Sequence, residues 1–148
     1  MIINKTPDKS QVVKLLAEYK LPTEDITDEH LNHFFGCSED DRFLGVVGLE
    51  IFGNTALLRS LAVKKSSRSI GLGSALVRHA ETYASLLGVT MLYLLTDTAE
   101  AYFRRKGYAL APREYAPAEI KETREFSGIC PVSSAFMSKR IAASGKAD

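Results

Sequence analysis

The stretch Arg68-Ser69-Ile70-Gly71-Leu72-Gly73 sets an arginine ahead of two glycines one residue apart. It lies between the apolar run TALLRSLAV, which ends at Val63, and a helical pattern that opens at Ser74. A helix N-terminus leaves backbone N–H groups unpaired and carries a partial positive charge. Glycine lets the backbone come close to a bulky anion with no Cβ in the way. Together these features describe an anion cradle, most often for phosphate, and Arg68 adds a permanent charge at its entry. Taken alone, the glycine pair has a plainer reading as the former of a tight turn. A second candidate lies upstream. Folding the chain at Gly53-Asn54 sets Glu50 opposite Leu57, on the same face as Arg59. A carboxylate there either accepts a proton from an amine or pairs across the strands with Arg59. Arg59 has an alternative use as a bidentate grip on a substrate carboxylate. His30 and His33 fall on a polar helical stretch and His79 on an amphipathic one, so all three read as surface or boundary residues. No spacing of donors suggests a metal site.

These residues need elements to hold them. MIINKT reads as a short strand. Asp8 or Ser10 is placed to cap a helix over SQVVKLLAEYK, with Val12, Val13, Leu15, Leu16 and Tyr19 at helical spacing. LPTEDIT interrupts it, Thr27 or Asp28 caps a second short helix over DEHLNHF, and SEDD is a polar turn. RFLGVVGLEIFG and TALLRSLAV form an antiparallel pair about Gly53-Asn54. The pattern SALVRHAETYASLLG is a helix that stops at Gly88, VTMLYLLT a buried strand, and AEAYFRRKG a short helix ending at Gly107. YALAPR reads as a strand, APAEIKETREFS as a helix, and SSAFMSKRI as the last strand. Residues 142–148 are small and polar, and are expected to fray. Helices alternating with a mixed, partly antiparallel sheet give an α/β class.

Bulk properties bound the function. A chain of 148 residues with 45% hydrophobic and 25% charged residues suits one ordinary globular domain, expected over residues 1–141. A net charge of +1 gives no reason to expect nucleic acid. Two cysteines, Cys37 and Cys130, are too few for a secreted disulfide framework. No signal-like segment and no membrane-length apolar run is present, so the expected location is the cytoplasm.

The order of strand, Arg-x-x-Gly-x-Gly and helix resembles the coenzyme A loop of the GCN5-related N-acetyltransferases (GNAT). The resemblance continues in TDTAEAYFRRKGY, where Thr96, Ala99, Tyr102, Phe103, Gly107 and Tyr108 follow that superfamily's helix pattern. It covers about Arg42 to Tyr108. The resemblance implies a mixed, mostly antiparallel sheet with splayed central strands and flanking helices. It implies acetyl-CoA as co-substrate, with no metal. Backbone groups of Leu61 and Val63 would pair with the pantetheine arm. Amides of Arg68, Ser69, Ile70, Gly71, Leu72, Gly73 and Ser74 would hold the pyrophosphate. Amides near Leu61 or Ala62 would face the oxyanion. The superfamily's usual acid, a tyrosine four residues before the glycine, is here Phe103, which would only line the coenzyme. Tyr102 takes the slot of a buried phenylalanine and is the neighbouring candidate acid. Glu50 is the candidate base.

The segment REYAPAEIKETREFSGICPVSSAFMSK, together with GLE, ALLRSLAV and YLLTDTAEAYF, is similar to acetyltransferases of bacterial arsenic-resistance operons. Pro117, Ile120, Cys130-Pro131 and Met137 also resemble the C-terminal part of short N-acetylglutamate synthases. Both imply a small amino acid or analogue as acceptor, with Arg59 or Arg113 on its carboxylate. Cys130 reads as a small buried residue rather than an arsenic ligand. Two other functions remain in view, a protein or peptide acetyltransferase and a non-catalytic acetyl-CoA sensor, and a homodimer is an open possibility.

Overall fold

The computed structural model describes residues 2–142, without the Ser69 side chain. The fraying expected of the tail falls, from residue 143 on, outside the described residues. Strands are β1 (Ile2–Lys5), β2 (Phe34–Glu39), β3 (Arg42–Phe52), β4 (Thr55–Val63), β5 (Met91–Thr96), β6 (Ala109–Leu110) and β7 (Ala135–Arg140). Helices are α1 (Lys9–Glu18), α2 (Asp28–Leu31), α3 (Leu72–Leu86), α4 (Glu100–Arg105) and α5 (Ala118–Lys121). The strands make one mixed sheet in the order β1-β2-β3-β4-β5-β7-β6. Pairing is antiparallel for β1–β2, β2–β3, β5–β7 and β6–β7, and parallel for β4–β5. The α/β class expected from the sequence is therefore the observed one.

Local chemistry explains most boundaries. The Asp8 side chain accepts from the Gln11 amide and caps α1. The Ser10 hydroxyl, with that amide, holds the Asp8 carboxyl below its usual range. Thr27 caps α2, but the helix stops at Leu31, short of the expected Phe34. The reason is β2, a strand hidden from periodicity. Phe34, Phe35, Gly36 and Cys37 are all buried, so the strand shows no alternation of apolar and polar residues. Its two ends take in part of the expected helix and part of the expected turn. The hairpin to β3 needs only Asp40 and Asp41, at φ 51° and 64°, as a two-residue turn of positive φ requires.

Two later expectations also change. The helix expected over APAEIKETREFS is broken. The Thr123 hydroxyl donates to the Ile120 carbonyl (2.7 Å) and accepts from the Phe126 amide (3.2 Å), offering the backbone an alternative to helix. A single wide turn, Glu125–Ile129, follows. YALAPR supplies only the two-residue β6.

The chain divides into two compact units. The first takes residues up to Glu50 together with Leu58–Tyr83, and the second takes Ile51–Leu57 with the residues from Ala84 onward. The first has a core of Val12, Leu15, Leu16, Ile26, Leu31, Phe34, Val46 and Ala62. The second packs Leu57, Ala116, Ile120 and Phe136, with Tyr93 and Phe126 against them.

Candidate functional site

In the first unit, the expected loop is a tight 3-10 turn over Lys65–Ile70 that ends at Gly71. Gly71 has φ 80° and the space where its Cβ would stand is open. The backbone angle, not packing, therefore demands glycine there, and it leaves the chain uncovered. Helix α3 begins at Leu72, two residues before the expected start, and its first bond runs from the Ala75 amide to the Gly71 carbonyl at 3.0 Å. Leu72, Gly73 and Ser74 thus form the opening turn of a 15-residue helix. Close packing aims that turn, since a Cβ on Gly45 of β3 would come within 2.9 Å of Leu76 and 3.2 Å of Leu72.

Helix α1 fastens the other end of the turn. The Lys65 amide donates to the Tyr19 hydroxyl (2.9 Å), and Lys64 meets Glu18 at 2.9 Å. Arg68 donates from Nε to the Val63 carbonyl (3.0 Å), with its guanidinium 4.9 Å from the centre of the Tyr19 ring. The arginine expected to greet an anion therefore also ties the end of β4 to the turn. Tyr19, read in the sequence only as one apolar position, is the anchor of this arrangement. Ile70 is largely exposed.

Glu50 and Arg59 do meet, as part of a larger group. The guanidinium of Arg59, with no side-chain exposure, donates to both Asp25 oxygens, the Nη2–Oδ1 distance being 2.7 Å. It also donates to Glu50 Oε2 (2.7 Å) and, from Nε, to the Ser60 hydroxyl (3.0 Å). The fork of Arg59, expected on a substrate carboxylate, here meets the carboxylates of Asp25 and Glu50. Burial alone would push the Asp25 carboxyl up, but the hydrogen bonds and charge of Arg59 outweigh it and hold the group below its usual range. Ser60 sits at φ 59° within β4, a left-handed kink just before Leu61, Ala62 and Val63. Such outliers concentrate at functional sites. On the other side of Glu50, His30 Nε2 lies 3.7 Å from Oε1. Asp25 was not singled out from the sequence and His30 was read there only as a surface or boundary residue, since no local pattern pairs them with residues of β3 and β4.

In the second unit, Phe103 is the packed residue of α4, set edge-on to Tyr102 and Tyr108. Tyr102, expected in the packed slot, is only half-buried as a residue. Its hydroxyl is nonetheless buried and has no hydrogen-bond partner among the described residues. Arg113 donates to the Ser134 carbonyl (2.6 Å) and lies 5.4 Å from the Phe126 ring centre, so it braces the segment before β7. Parallel pairing of β4 with β5 joins Thr55 to Met91, Ala56 to Leu92 and Leu57 to Tyr93, and β4 continues beyond it to Val63. Cys37 is buried and burial pushes its thiol up, while Cys130 is half-buried rather than buried. Among the described residues no three His, Cys, Asp or Glu side chains gather as metal ligands, and no helix is long and apolar enough to cross a membrane.

Comparison with known proteins adds three findings. The Acetyltransferase (GNAT) family model matches residues 5–109. A curated relative, an uncharacterized N-acetyltransferase of Chlorobaculum tepidum, is 33% identical over 93 residues, which span 62% of this chain and 59% of the relative. Among solved structures, N-acetylglutamate synthase of Neisseria gonorrhoeae with coenzyme A and L-arginine aligns at TM-score 0.80 and 18% identity, over 95% of this chain and 33% of that one. Rv2747 of Mycobacterium tuberculosis, solved with CoA, aligns at TM-score 0.77 and 18% identity, over 95% and 99% of the two chains. At such identities the structural matches speak for the fold.

Proposed function

Because the chain belongs to the acetyltransferase (GNAT) family, we propose that it transfers an acetyl group from acetyl-CoA to the amine of a small amino-acid-like acceptor. One observation carries the reading: Gly71 at φ 80° with open space over it, followed at once by the first turn of α3. That surface of backbone and helix N-terminus suits a pyrophosphate. Leu61, Ala62 and Val63, just past the Ser60 kink, are the backbone groups for the pantetheine arm and the oxyanion. Glu50, with one oxygen held by Arg59 and the other facing His30, takes the amine proton. The amine nitrogen then bonds to the thioester carbon, the carbon–sulfur bond breaks, and the thiolate takes up a proton. Tyr102 of the second unit is the proposed acid, since its buried hydroxyl has no partner among the described residues.

An amino-acid acceptor is supported by the segment before β7 and suits a fold shared with an N-acetylglutamate synthase. Arg113 remains the proposed partner of the acceptor carboxylate. A role in resistance to arsenic or another toxic analogue, action in the cytoplasm and a homodimer belong to the same proposal. Gly71→Val is expected to raise the KM for acetyl-CoA about tenfold or more, because a branched residue is an outlier at positive φ and covers the backbone. Thiol release over a panel of amino acids and polyamines, beside calorimetric binding of acetyl-CoA, checks it. Unchanged coenzyme affinity in a folded variant would refute the loop assignment, and binding without turnover on any amine would make the protein a sensor.

A further inference from the structure

Helix α2 opens with a reciprocal cap. The Thr27 hydroxyl accepts from the His30 amide (3.1 Å), and His30 Nδ1 accepts from the Thr27 amide (3.1 Å). The residue that normally reaches back in such a box is Glu or Gln. A carboxylate would also suit the positive end of the helix better than an imidazole. Histidine is therefore the unfavoured choice for capping alone. Its use is explained by what lies beyond the cap. The bond from the Thr27 amide occupies the Nδ1 lone pair, so a neutral ring must carry its proton on Nε2. That N–H edge lies 3.7 Å from Glu50 Oε1, while Arg59 donates to Oε2.

The charges around this edge are specific. Glu50 comes from β3, Arg59 from β4 and Asp25 from the segment before α2, while Asp28 and Glu29 are acidic neighbours on α2 itself. The Arg59 guanidinium serves the buried Asp25 carboxylate and the half-buried Glu50 carboxylate together. An acceptor at position 30 would add a further negative edge next to Glu50, whereas the imidazole N–H supplies a donor.

We propose that His30 is a positioning residue for acetyl transfer, fixed by the α2 cap in the tautomer whose Nε2–H faces Glu50 and keeps its carboxylate aimed. This rests on the reading of Glu50 as the base. It goes beyond that reading in assigning the second oxygen of the base to an imidazole held by a helix cap.

Two substitutions separate this role from capping. His30→Gln keeps both the back-bond to Thr27 and an N–H donor. His30→Glu keeps the cap in its usual chemical form but turns an acceptor toward Glu50. The pH dependence of kcat/KM and the thermal midpoint are measured for both, in the wild-type and the Glu50→Gln backgrounds. His30→Gln is expected to stay within about threefold of wild type. His30→Glu is expected to lose about tenfold or more at neutral pH and to move the acid limb of the profile upward by about one unit, with the thermal midpoint kept. In the Glu50→Gln background the His30→Glu loss should vanish, because the effect acts through the carboxylate.

His30→Glu with wild-type kinetics, beside an impaired Glu50→Gln, would overturn the inference and leave the base assignment standing. Wild-type kinetics in Glu50→Gln itself would remove the base and the inference together. A loss of equal size in both backgrounds would show that His30 acts elsewhere, again overturning the inference. Should His30→Glu fail to fold, His30→Ala in the same two backgrounds carries the same comparison: a loss confined to the wild-type background supports the role, and an equal loss or none in both overturns it.

Discussion

Two buried polar groups, one in each unit, are treated in opposite ways. In the first, the charge of Arg59 is fully enclosed and answered by Asp25, Glu50 and Ser60. In the second, α4 buries a phenol hydroxyl that finds no partner among the described residues. The difference follows from energy. An uncompensated buried charge costs several kcal/mol, so a fold that encloses one must gather opposite charges around it. A phenol hydroxyl costs about 1–3 kcal/mol when left unpaired, which a site can tolerate if a ligand later meets it. The charged group is thus built to be stable before substrate arrives, and the hydroxyl is built to wait.

Breaking the charged group should give the largest effect. Arg59→Met leaves Asp25 and Glu50 enclosed without their cation and is expected to cost about 3–5 kcal/mol of stability. The midpoint of urea unfolding measures it, and a loss under 1 kcal/mol would mean that water already reaches the carboxylates. Acid should act on the same group more gradually. The Asp25 carboxyl is held below its usual value in the folded chain. The stability it contributes is therefore present above the unfolded value of about 3.9 and is lost as pH falls through the folded one. Urea midpoints between pH 5 and 2 should fall less steeply in Asp25→Asn than in wild type, and parallel curves would contradict the assignment. The smallest effect belongs to the second unit. Tyr102→Phe removes a hydroxyl with no described partner, so stability should stay within about 1 kcal/mol. A larger loss would show that the hydroxyl is bonded after all, and the contrast between the units would close. A fall in kcat at unchanged KM for acetyl-CoA would instead identify the hydroxyl as the working acid.

Position 59 shows how far local reading reaches. A turn at Gly53-Asn54 sets Glu50 near Arg59 from the sequence alone, and the pair is there. The same arginine also meets Asp25, a residue 34 positions away inside a stretch that reads only as a helix break. Position 102 shows the reverse. The family resemblance puts Tyr102 in the slot of a buried phenylalanine, yet Phe103 is the packed residue, and six residues of helix carry too little periodicity to fix which side faces the core. Strand β2 was hidden for a related reason, since burial on both faces erases the alternation that marks a strand.

By itself, the sequence determined what neighbouring residues settle among themselves. Asp8 or Ser10 caps the first helix and Thr27 or Asp28 the second, the Gly53-Asn54 turn pairs β3 with β4, and glycine stands where the backbone turns to positive φ ahead of α3. These depend on interactions within a few residues, so they are written in local order. The tertiary structure decided who meets a buried charge. Asp25 and His30 reach Arg59 and Glu50 because packing of the first unit's core brings the α2 region onto β3 and β4. No spacing along the chain records which residues are so delivered.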